Sequence, residues 1–353
     1  MAINEQASEN QSPVIAQGLW KVSISPHVKS GESVEKIMWT VVACLAPPLV
    51  LSVFIFGIQT LIITAVSVAS CVAVEAATQK ALGRRLTIGD GSAVITGILI
   101  AFVLPPGVSP LLPVLGAVMA IALGKHLLGG IGYNIFNPAL LARAFLLATF
   151  PVAMTSAWLP PLSDLAIFSY LGTPLDAVAT ATPLAMLKTQ GLAAFTGQFG
   201  AGPNLYTNFF LGWRPGSIGE TSGILLVLGG LYLLYRGYIT WQIPVSMLAT
   251  IALLSWCFGG EGWFGGDPLL AVLSGGALLG AFFMATDYVT SPTNKTSQLI
   301  YGLGIGAITV LIRLKGGYPE GVCYAILLMN PLTPVLDGFF KPKRFAPLQG
   351  GAK

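Results

Sequence analysis

The chain has 353 residues, and its composition departs from that of soluble domains. Hydrophobic residues make up 54% of the chain, charged residues only 9%, and the mean hydropathy is +0.77. This composition excludes an ordinary soluble globular domain and predicts a polytopic membrane protein. The net charge of +4 says little about partners, because the position of each charge matters more than the sum in membrane proteins.

Residues 1–36 are polar and are predicted to form a cytoplasmic N-terminal segment. The first apolar run begins too far from the N-terminus, and is too long, for a cleaved signal peptide. It is therefore expected to be a retained helix.

Apolar runs long enough to cross about 30 Å of hydrocarbon occur about ten times. The predicted fold is an all-α polytopic membrane protein with about ten transmembrane helices. The expected spans are 37–57, 58–80, 90–106, 110–128, 138–157, 221–236, 240–258, 267–286, 298–314 and 320–337.

The two apolar halves contain similar short motifs in the same order, which predicts an internal repeat. Gly89-Asp90 in the first half is matched by Gly266-Asp267 in the second, and Gly129-Gly130 is matched by Gly316-Gly317. Five spans per repeat is an odd number, so the repeats, 37–157 and 221–337, are expected to be inverted in the membrane. A loop at 158–220 separates them, and a basic tail at 338–353 follows them.

Lysine and arginine positions predict the orientation. With both termini in the cytoplasm, fourteen of the eighteen basic residues lie on the inner side, as the positive-inside rule expects, and 158–220 faces outward. The four outer basic residues are Lys188, Arg214, Arg313 and Lys315. The inner ones are Lys21, Lys29, Lys36, Lys80, Arg84, Arg85, Lys125, Arg143, Arg236, Lys295, Lys341, Lys343, Arg344 and Lys353.

The central loop contains a polar stretch, DAVATATPL, at 176–184. One interpretation is a helix start, with Thr180 or Thr182 as N-cap and Pro183 as the first helical residue. The other is a hydroxyl that holds or carries a phosphate beside the backbone N–H groups of a helix start.

The stretch GGIGYNIFNPA at 129–139 brings two amides, two aromatic rings and a flexible backbone to one place. A flat heteroaromatic ligand needs stacking faces and directional hydrogen bonds of this kind. The alternative is a re-entrant turn whose asparagine side chains cap freed backbone groups.

Other chemistry-bearing residues are few. The four cysteines lie singly in apolar runs, so neither a disulfide framework nor an iron–sulfur site built by this chain alone is expected. Glu75 is the one acid well inside a span. It lies about a turn from Lys80, so it is either an interfacial acid or an ion ligand. The segment at Asp287 is a second weak candidate for an ion route.

Five segments in order resemble the RnfD and NqrB family of membrane proteins, found in Rnf electron-transport complexes and in sodium-pumping NADH:quinone oxidoreductases. They are TSAWLPP (155–161), DAVATATPLAMLKT (176–189), GGIGYNIFNPA (129–139), LSGGALLGAFFMATDYVTSPTNK (273–295) and GGYPEGV (316–322). The short N-terminal segment is similar to the Rnf type. The resemblance implies a membrane subunit of a ferredoxin:NAD oxidoreductase that translocates Na+ or H+ and is not catalytic alone.

The resemblance also implies covalent FMN, joined through its phosphate to a threonine by a flavin transferase. On this sequence Asp176 takes the first position of the family motif and Thr182 the modified one, whereas Ala179 stands where the family has Ser or Thr. Thr180 is the alternative acceptor. Ala181 lies beside the acceptor, and Pro183 and Leu184 are expected to hold the tether stiff.

A second, non-covalent flavin, riboflavin, is implied near the inner side, with Asn134, Phe136 and Asn137 as the candidate contacts. The implied partners are Rnf subunits that hold iron–sulfur clusters, flavin and the nicotinamide site, together with membrane lipid. No nucleic acid is expected. The implied location is the inner membrane of a bacterium or archaeon. Two alternatives stay open: a quinone-reducing protein of the NqrB type and a non-redox channel or transporter for small solutes.

Overall fold

The computed structural model describes residues 32–127, 129–162, 180–200, 202–260 and 262–340, and this part of the chain is helical throughout, without strands. The first half contains α1 (Val34–Phe56), α2 (Gln59–Ala81), α3 (Ser92–Phe102), α4 (Leu111–His126), α5 (Pro138–Thr149) and α6 (Pro151–Ser156). The loop contributes α7 (Pro183–Phe199) and α8 (Pro203–Leu211). The second half contains α9 (Gly223–Tyr235), α10 (Gln242–Phe258), α11 (Pro268–Leu273), α12 (Ala277–Leu279), α13 (Lys295–Lys315), α14 (Val322–Met329) and α15 (Thr333–Phe339).

Every predicted span contains a helix, and the multi-pass membrane character is confirmed at this coarse level. Among the described residues, four helical stretches are long and apolar enough to cross a bilayer by themselves. They are Val34–Phe56, Gln59–Ala81, Lys295–Lys315 and Val322–Phe339. The count of ten spans stays a prediction.

Helix starts follow the side-chain chemistry of the sequence. Polar residues accept hydrogen bonds from otherwise unpartnered N–H groups in the first helical turn, as N-caps do. These caps are Ser33 for α1, Asn137 for α5, Thr182 for α7, Ser222 for α9, Asp267 for α11 and Asn294 for α13.

At least one predicted span in each half is interrupted. In the second half, Gly275 and Gly276 separate α11 from α12 with positive φ angles of 66° and 65°, a backbone region that glycine enters readily. A Cβ on Gly275 would lie 2.3 Å from Leu184 Cδ1, so the start of α7 rests directly on this break. In the first half, the buried segment after α3 takes a backbone bond from Ile218 N to Leu104 O (3.2 Å).

Helix packing in one half recurs in the other. In the first half, α2 packs on α3 and α4, and α4 packs on α5. In the second half, α10 packs on α11 and α13, and α13 packs on α14, so that α10 corresponds to α2 and α13 to α4. Between the halves, α1 contacts α9 and α5 contacts α14. Small residues allow the closest approach: Cβ atoms at Gly302 and Gly306 would overlap Ser246 and the backbone at Met247, both on α10.

Two segments are π-helical, Val118–His126 at the end of α4 and Gly280–Met284 after α12. π-Helical turns are rare and concentrate at functional sites. The two segments lie on the same cavity, because both Lys125 and Phe283 line it.

Candidate functional sites at the two ends of a membrane-length helix

Two polar regions lie at opposite ends of α13, which has 21 residues and is therefore about 30 Å long. Near its N-terminus, Gln298 Oε1 accepts from the Thr240 hydroxyl (2.9 Å), close to the cavity-lining residue Ile239. Near its C-terminus, Arg313 Nη2 donates to Ser274 O (2.8 Å), at the break on which Leu184 rests. The two regions are thus separated by about the thickness of a bilayer core.

Thr182 lies at the start of α7. Its hydroxyl accepts from Ala185 N (3.3 Å), Pro183 is the first helical residue, and the residue is only 5% exposed. The helix-start interpretation is therefore confirmed, with Thr182 rather than Thr180 as the cap. Thr180 is half-buried and donates its N–H to Trp158 O (2.9 Å).

The other predicted residues around Thr182 are close to it along the chain. Ala181 is half-buried, Pro183 is buried, and Leu184 packs against Gly275. Asp176 lies outside the described residues. Further along α7, Lys188 Nζ donates to Gly316 O and Tyr318 O, so that the loop helix is fastened to the segment before α14.

Buried arginines surround the break beneath Leu184. Arg313 Nη1 donates to Ala271 O (2.6 Å), and Arg214 Nη2 donates to Glu220 O (3.4 Å) as well as to Leu273 O. Arg143 forms an ion pair with Glu320. This end of the molecule therefore carries three guanidinium groups and two carboxylates.

The membrane side of Arg143 stays a prediction, and the structure gives this residue a partner in the other half of the chain. Arg143 lies in the second turn of α5, and its partner Glu320 precedes α14, at the end of the molecule where Lys188 binds Gly316 and Tyr318. A charge count along the sequence cannot reveal this, because the arginine side chain reaches across the fold to its carboxylate.

At the opposite end of α13 there is an open cavity of about 130 Å³. Small-molecule sites combine apolar walls with a few placed polar groups. The polar groups here are Ser92, Lys125, Asn134, Asn137, Thr286, Asp287, Tyr238 and Tyr288, and the aromatic walls are Phe282 and Phe283.

The GGIGYNIFNPA stretch contributes to this cavity through Asn134 and Asn137, but Phe136 is not among the residues that line it. Asn137 Oδ1 caps α5 by accepting from Ala139 N (3.0 Å) and Leu140 N (3.3 Å), and its amide donates to Met284 O (3.3 Å). The capping interpretation of this stretch is therefore confirmed for Asn137. Asn134 Nδ2 donates to Phe136 O (3.3 Å).

Asp287 and Tyr288 also line the cavity, and Asp287 lies beside Asn134. Burial raises the pKa of Asp287 above its ordinary value, while hydrogen bonds from Val289 N, Thr290 and Asn134 act in the opposite direction. The aromatic rings of the cavity were not assigned from sequence, although they fall in the segment 273–295 that carries the family resemblance.

The start of α1 and the turn before α10 also line the cavity, through Ile37, Met38 and Tyr238. Tyr238 donates its hydroxyl to Glu32 Oε2 (2.6 Å) and accepts from Arg236 Nη2 (3.0 Å), while Tyr288 donates its hydroxyl to Tyr238 O. The hydrogen bonds from Tyr238 and Lys36 hold the pKa of Glu32 below its ordinary value.

The interfacial interpretation of Glu75 is wrong. Glu75 is fully buried, and its Oε1 accepts from Lys125 Nζ (2.6 Å) and from Gln79 Nε2 (3.0 Å), whereas Lys80 is exposed. Glu75 and Gln79 are four positions apart on α2, and this spacing places them on the same face of the helix. The lysine partner comes from α4 instead, fifty residues away in sequence.

Cys44, Cys71 and Cys323 are buried, Cys257 is half-buried, and all four thiols are free. Within the part of the chain that the structure describes, no three His, Cys, Asp or Glu side chains come together as metal ligands do.

Comparison with known proteins was decisive for the family. The family model described as NQR2, RnfD, RnfE matches residues 21–346. The chain belongs to this family. The resemblance seen in the five segments is thereby confirmed.

Three relatives illustrate the similarity, and each is the component designated D of its complex. The chain is 50% identical to that of the proton-translocating ferredoxin:NAD(+) oxidoreductase complex of Clostridium ljungdahlii, over 94% of this chain and 97% of that protein. It is 45% identical to that of the Na(+)-translocating ferredoxin:NAD(+) oxidoreductase complex of Acetobacterium woodii, over 91% and 94%. It is 40% identical to that of the ion-translocating oxidoreductase complex of Stutzerimonas stutzeri, over 89% and 92%.

The residues at Thr182 fit a phosphate-linked group. The hydroxyl oxygen already accepts a backbone N–H, and the first turn of α7 offers a further N–H at Leu184. Arg313 contacts the same glycine as Leu184 and supplies a nearby positive charge. The cavity likewise fits a flat heteroaromatic ring, because aromatic faces and amide, hydroxyl and ammonium groups line one space.

Proposed function

We propose that this chain is the RnfD component of an ion-translocating ferredoxin:NAD oxidoreductase and that it relays electrons between two flavins on opposite sides of the membrane. The observation that carries the proposal is the placement of two ligand-compatible regions at the two ends of the 21-residue helix α13. The near-full-length similarity to components of ferredoxin:NAD(+) oxidoreductase complexes supports the same assignment. The other proteins of such a complex are the implied partners.

Thr182 is the proposed attachment point for FMN, and bound flavin supplies one- and two-electron redox chemistry. The chain orients the attachment point in two ways: Pro183 fixes the backbone at the first helical position, and Leu184 packs on Gly275. Arg313, which donates to Gly275 O, adds positive charge near Leu184. A flavin transferase is the implied maturation partner.

The cavity beside Asn134 and Asp287 is the proposed site of the second, non-covalent flavin. Amide, hydroxyl and carboxylate groups provide directional hydrogen bonds for a ring edge, while Phe282 and Phe283 provide apolar contact.

We also propose that the two halves are inverted five-span repeats, giving ten spans, with both termini cytoplasmic and Thr182 outside. The recurrence of packing partners between the halves supports the repeat, and the broken spans after α3 and α11 are features typical of inverted-repeat membrane proteins.

The test compares wild type with Thr182→Val and Thr182→Ser in the assembled complex, co-expressed with its flavin transferase. Wild type is expected to show ultraviolet fluorescence on a denaturing gel and an FMN-sized mass increment on the peptide that contains Thr182. Thr182→Val removes the hydroxyl and should lose both signals, while Thr182→Ser keeps an acceptor hydroxyl and the helix cap.

Thr180→Val is the matched control, because the Thr180 N–H bond to Trp158 survives the change. It should retain the covalent flavin. A wild-type chain of bare sequence mass would refute the redox assignment and favour a non-redox transporter. Ferredoxin-dependent NAD reduction, measured beside NADH-dependent quinone reduction, separates this function from that of a quinone-reducing relative.

A further inference from the structure

A buried ion pair forms part of the cavity wall. Lys125 Nζ donates to Glu75 Oε1 (2.6 Å) and to Ser92 Oγ (2.7 Å). Lys125 is 4% exposed and Glu75 is 0% exposed, yet Lys125 and Ser92 both line the cavity. The ammonium group therefore lies between a fixed carboxylate and the space that a ligand would fill.

Stability alone does not account for this arrangement. Taking two charges out of water is costly, and a buried pair is favourable only when its remaining hydrogen-bonding capacity is satisfied. Among the described residues, Glu75 Oε2 and both ring nitrogens of His126 have no hydrogen-bond partner. His126 Nε2 lies 3.6 Å from Glu75 Oε1. The polar cluster is thus incomplete within the chain itself.

The backbone of this wall is also specialised. Lys125 and His126 end the π-helical segment Val118–His126 and reach the same carboxylate oxygen, although they are adjacent in sequence. The aromatic wall of the same cavity comes from the other π-helical segment, Gly280–Met284. Such segments occur frequently at functional sites.

A positive charge in this position suits a ring that becomes negative. When an oxidised, neutral flavin ring accepts one electron from a reduced one-electron carrier without taking up a proton, the carrier loses that electron and the ring gains one negative charge. A fixed cation in a region of low dielectric constant stabilises that anion more than the neutral ring. The electron then leaves less readily, which means a higher reduction potential.

We propose that Lys125 binds and stabilises the reduced, anionic form of the flavin in the cavity, and that Glu75 and Ser92 are the positioning residues that hold its ammonium group at the wall. This inference rests on the proposed function, because it requires a flavin in the cavity.

The experiment measures the midpoint potentials of both flavins in the purified, assembled complex by spectroelectrochemical titration. Lys125→Met removes the charge and retains most of the side-chain volume. The reduced form of the non-covalent flavin should then bind about tenfold more weakly relative to the oxidised form, which lowers a one-electron potential by about 59 mV. The potential of the covalent FMN in the same sample should stay unchanged.

Three further variants complete the design. Lys125→Arg keeps the charge and should restore most of the potential. Lys80→Met removes an exposed lysine near the end of α2 and should have no effect. The double variant Glu75→Gln, Lys125→Met avoids an uncompensated buried carboxylate, so it remains informative if the single variant fails to assemble, and it should show the same downward shift.

The outcomes distinguish the two hypotheses. If the wild-type complex contains no non-covalent flavin, the cavity does not bind one, and that part of the proposed function is refuted. A bound non-covalent flavin whose potential is the same in wild type and in the double variant would overturn the role of Lys125 alone. An equal shift in Lys80→Met would also overturn it, since the effect would then not depend on the buried ammonium group.

Discussion

At the scale of single residues, the same side chains serve the backbone and the candidate sites. Thr182 caps α7 and Asn137 caps α5, and each also lies where a flavin is proposed. Loss of a cap costs about 0.5–2 kcal/mol of stability. A substitution that removes the whole side chain therefore mixes a folding defect with a binding defect, and conservative pairs of variants are needed to separate them.

For Asn137, the pair is Asn137→Asp and Asn137→Leu. Aspartate keeps an oxygen that caps Ala139 and Leu140 but loses the amide donated to Met284, and it adds a negative charge at the cavity. We expect both variants to lose non-covalent riboflavin from the purified complex and to keep covalent FMN. Asn137→Leu should lower the stability by about 0.5–2 kcal/mol through loss of the cap. Asn137→Asp should lower it as well, because it buries a carboxylate and removes the donor to Met284 O.

Flavin extraction with chromatography, and thermal unfolding followed by intrinsic fluorescence, provide the two readouts. Asn134→Leu is a useful companion, because Asn134 lines the cavity without capping a helix. If the riboflavin content is unchanged in all three variants, the second flavin binds somewhere other than this cavity.

At the scale of helices, charged pairs fasten elements that are distant in sequence. Arg143 on α5 and Glu320 before α14 form an ion pair in which the side chains are 11% and 15% exposed. The pair joins the two halves of the molecule, beside the contact between α5 and α14. The close approach of α13 to α10 at Gly302 and Gly306 provides the packing within the second half.

Breaking the ion pair on one side should be more harmful than removing it altogether. Arg143→Met leaves Glu320 buried without its cation and should destabilise the protein by about 3–5 kcal/mol, because an uncompensated buried charge is costly. Arg143→Met combined with Glu320→Gln should recover most of that loss. Thermal unfolding in detergent, with Lys80→Met as an exposed-charge control, provides the measurement.

If Arg143→Met and the double variant unfold at the same temperature, the guanidinium is stabilised by something other than Glu320, and the pair does not fasten the two halves.

At the scale of the whole molecule, the orientation in the membrane decides which flavin faces which compartment. The lysine and arginine count predicts that Thr182 is outside, whereas Arg84 at the end of α2 is inside. The separation of the two candidate sites along α13 is consistent with opposite sides.

Cysteine labelling tests this orientation. In a Cys257→Ser background, the half-buried native thiol is removed, and the three remaining cysteines are buried. Thr180→Cys should then react with a membrane-impermeant maleimide added to intact cells, and Arg84→Cys should react only in inverted membrane vesicles. The reverse pattern would invert the topology and place the covalent flavin in the cytoplasm.

Much of the architecture could be predicted from the sequence by itself, because it depends on local composition. The apolar runs located the helices of both halves, though not those of the central loop, since a lipid-embedded backbone must satisfy its hydrogen bonds within helices. The pattern of threonine followed by proline located the start of α7, because the cap and the fixed proline φ act within three residues. Five ordered segments were enough to indicate the family.

Only the tertiary structure decided which polar groups meet. Glu75 is paired with Lys125 rather than Lys80, and Arg143 is paired with Glu320 from the other half of the chain. Phe282 and Phe283 line the cavity, whereas Phe136, which lies between Asn134 and Asn137 in the sequence, does not. The physical reason is that side-chain electrostatics and cavity shape depend on distances of a few ångströms between helices that lie far apart in sequence, whereas helix formation in a membrane depends on neighbours along the chain.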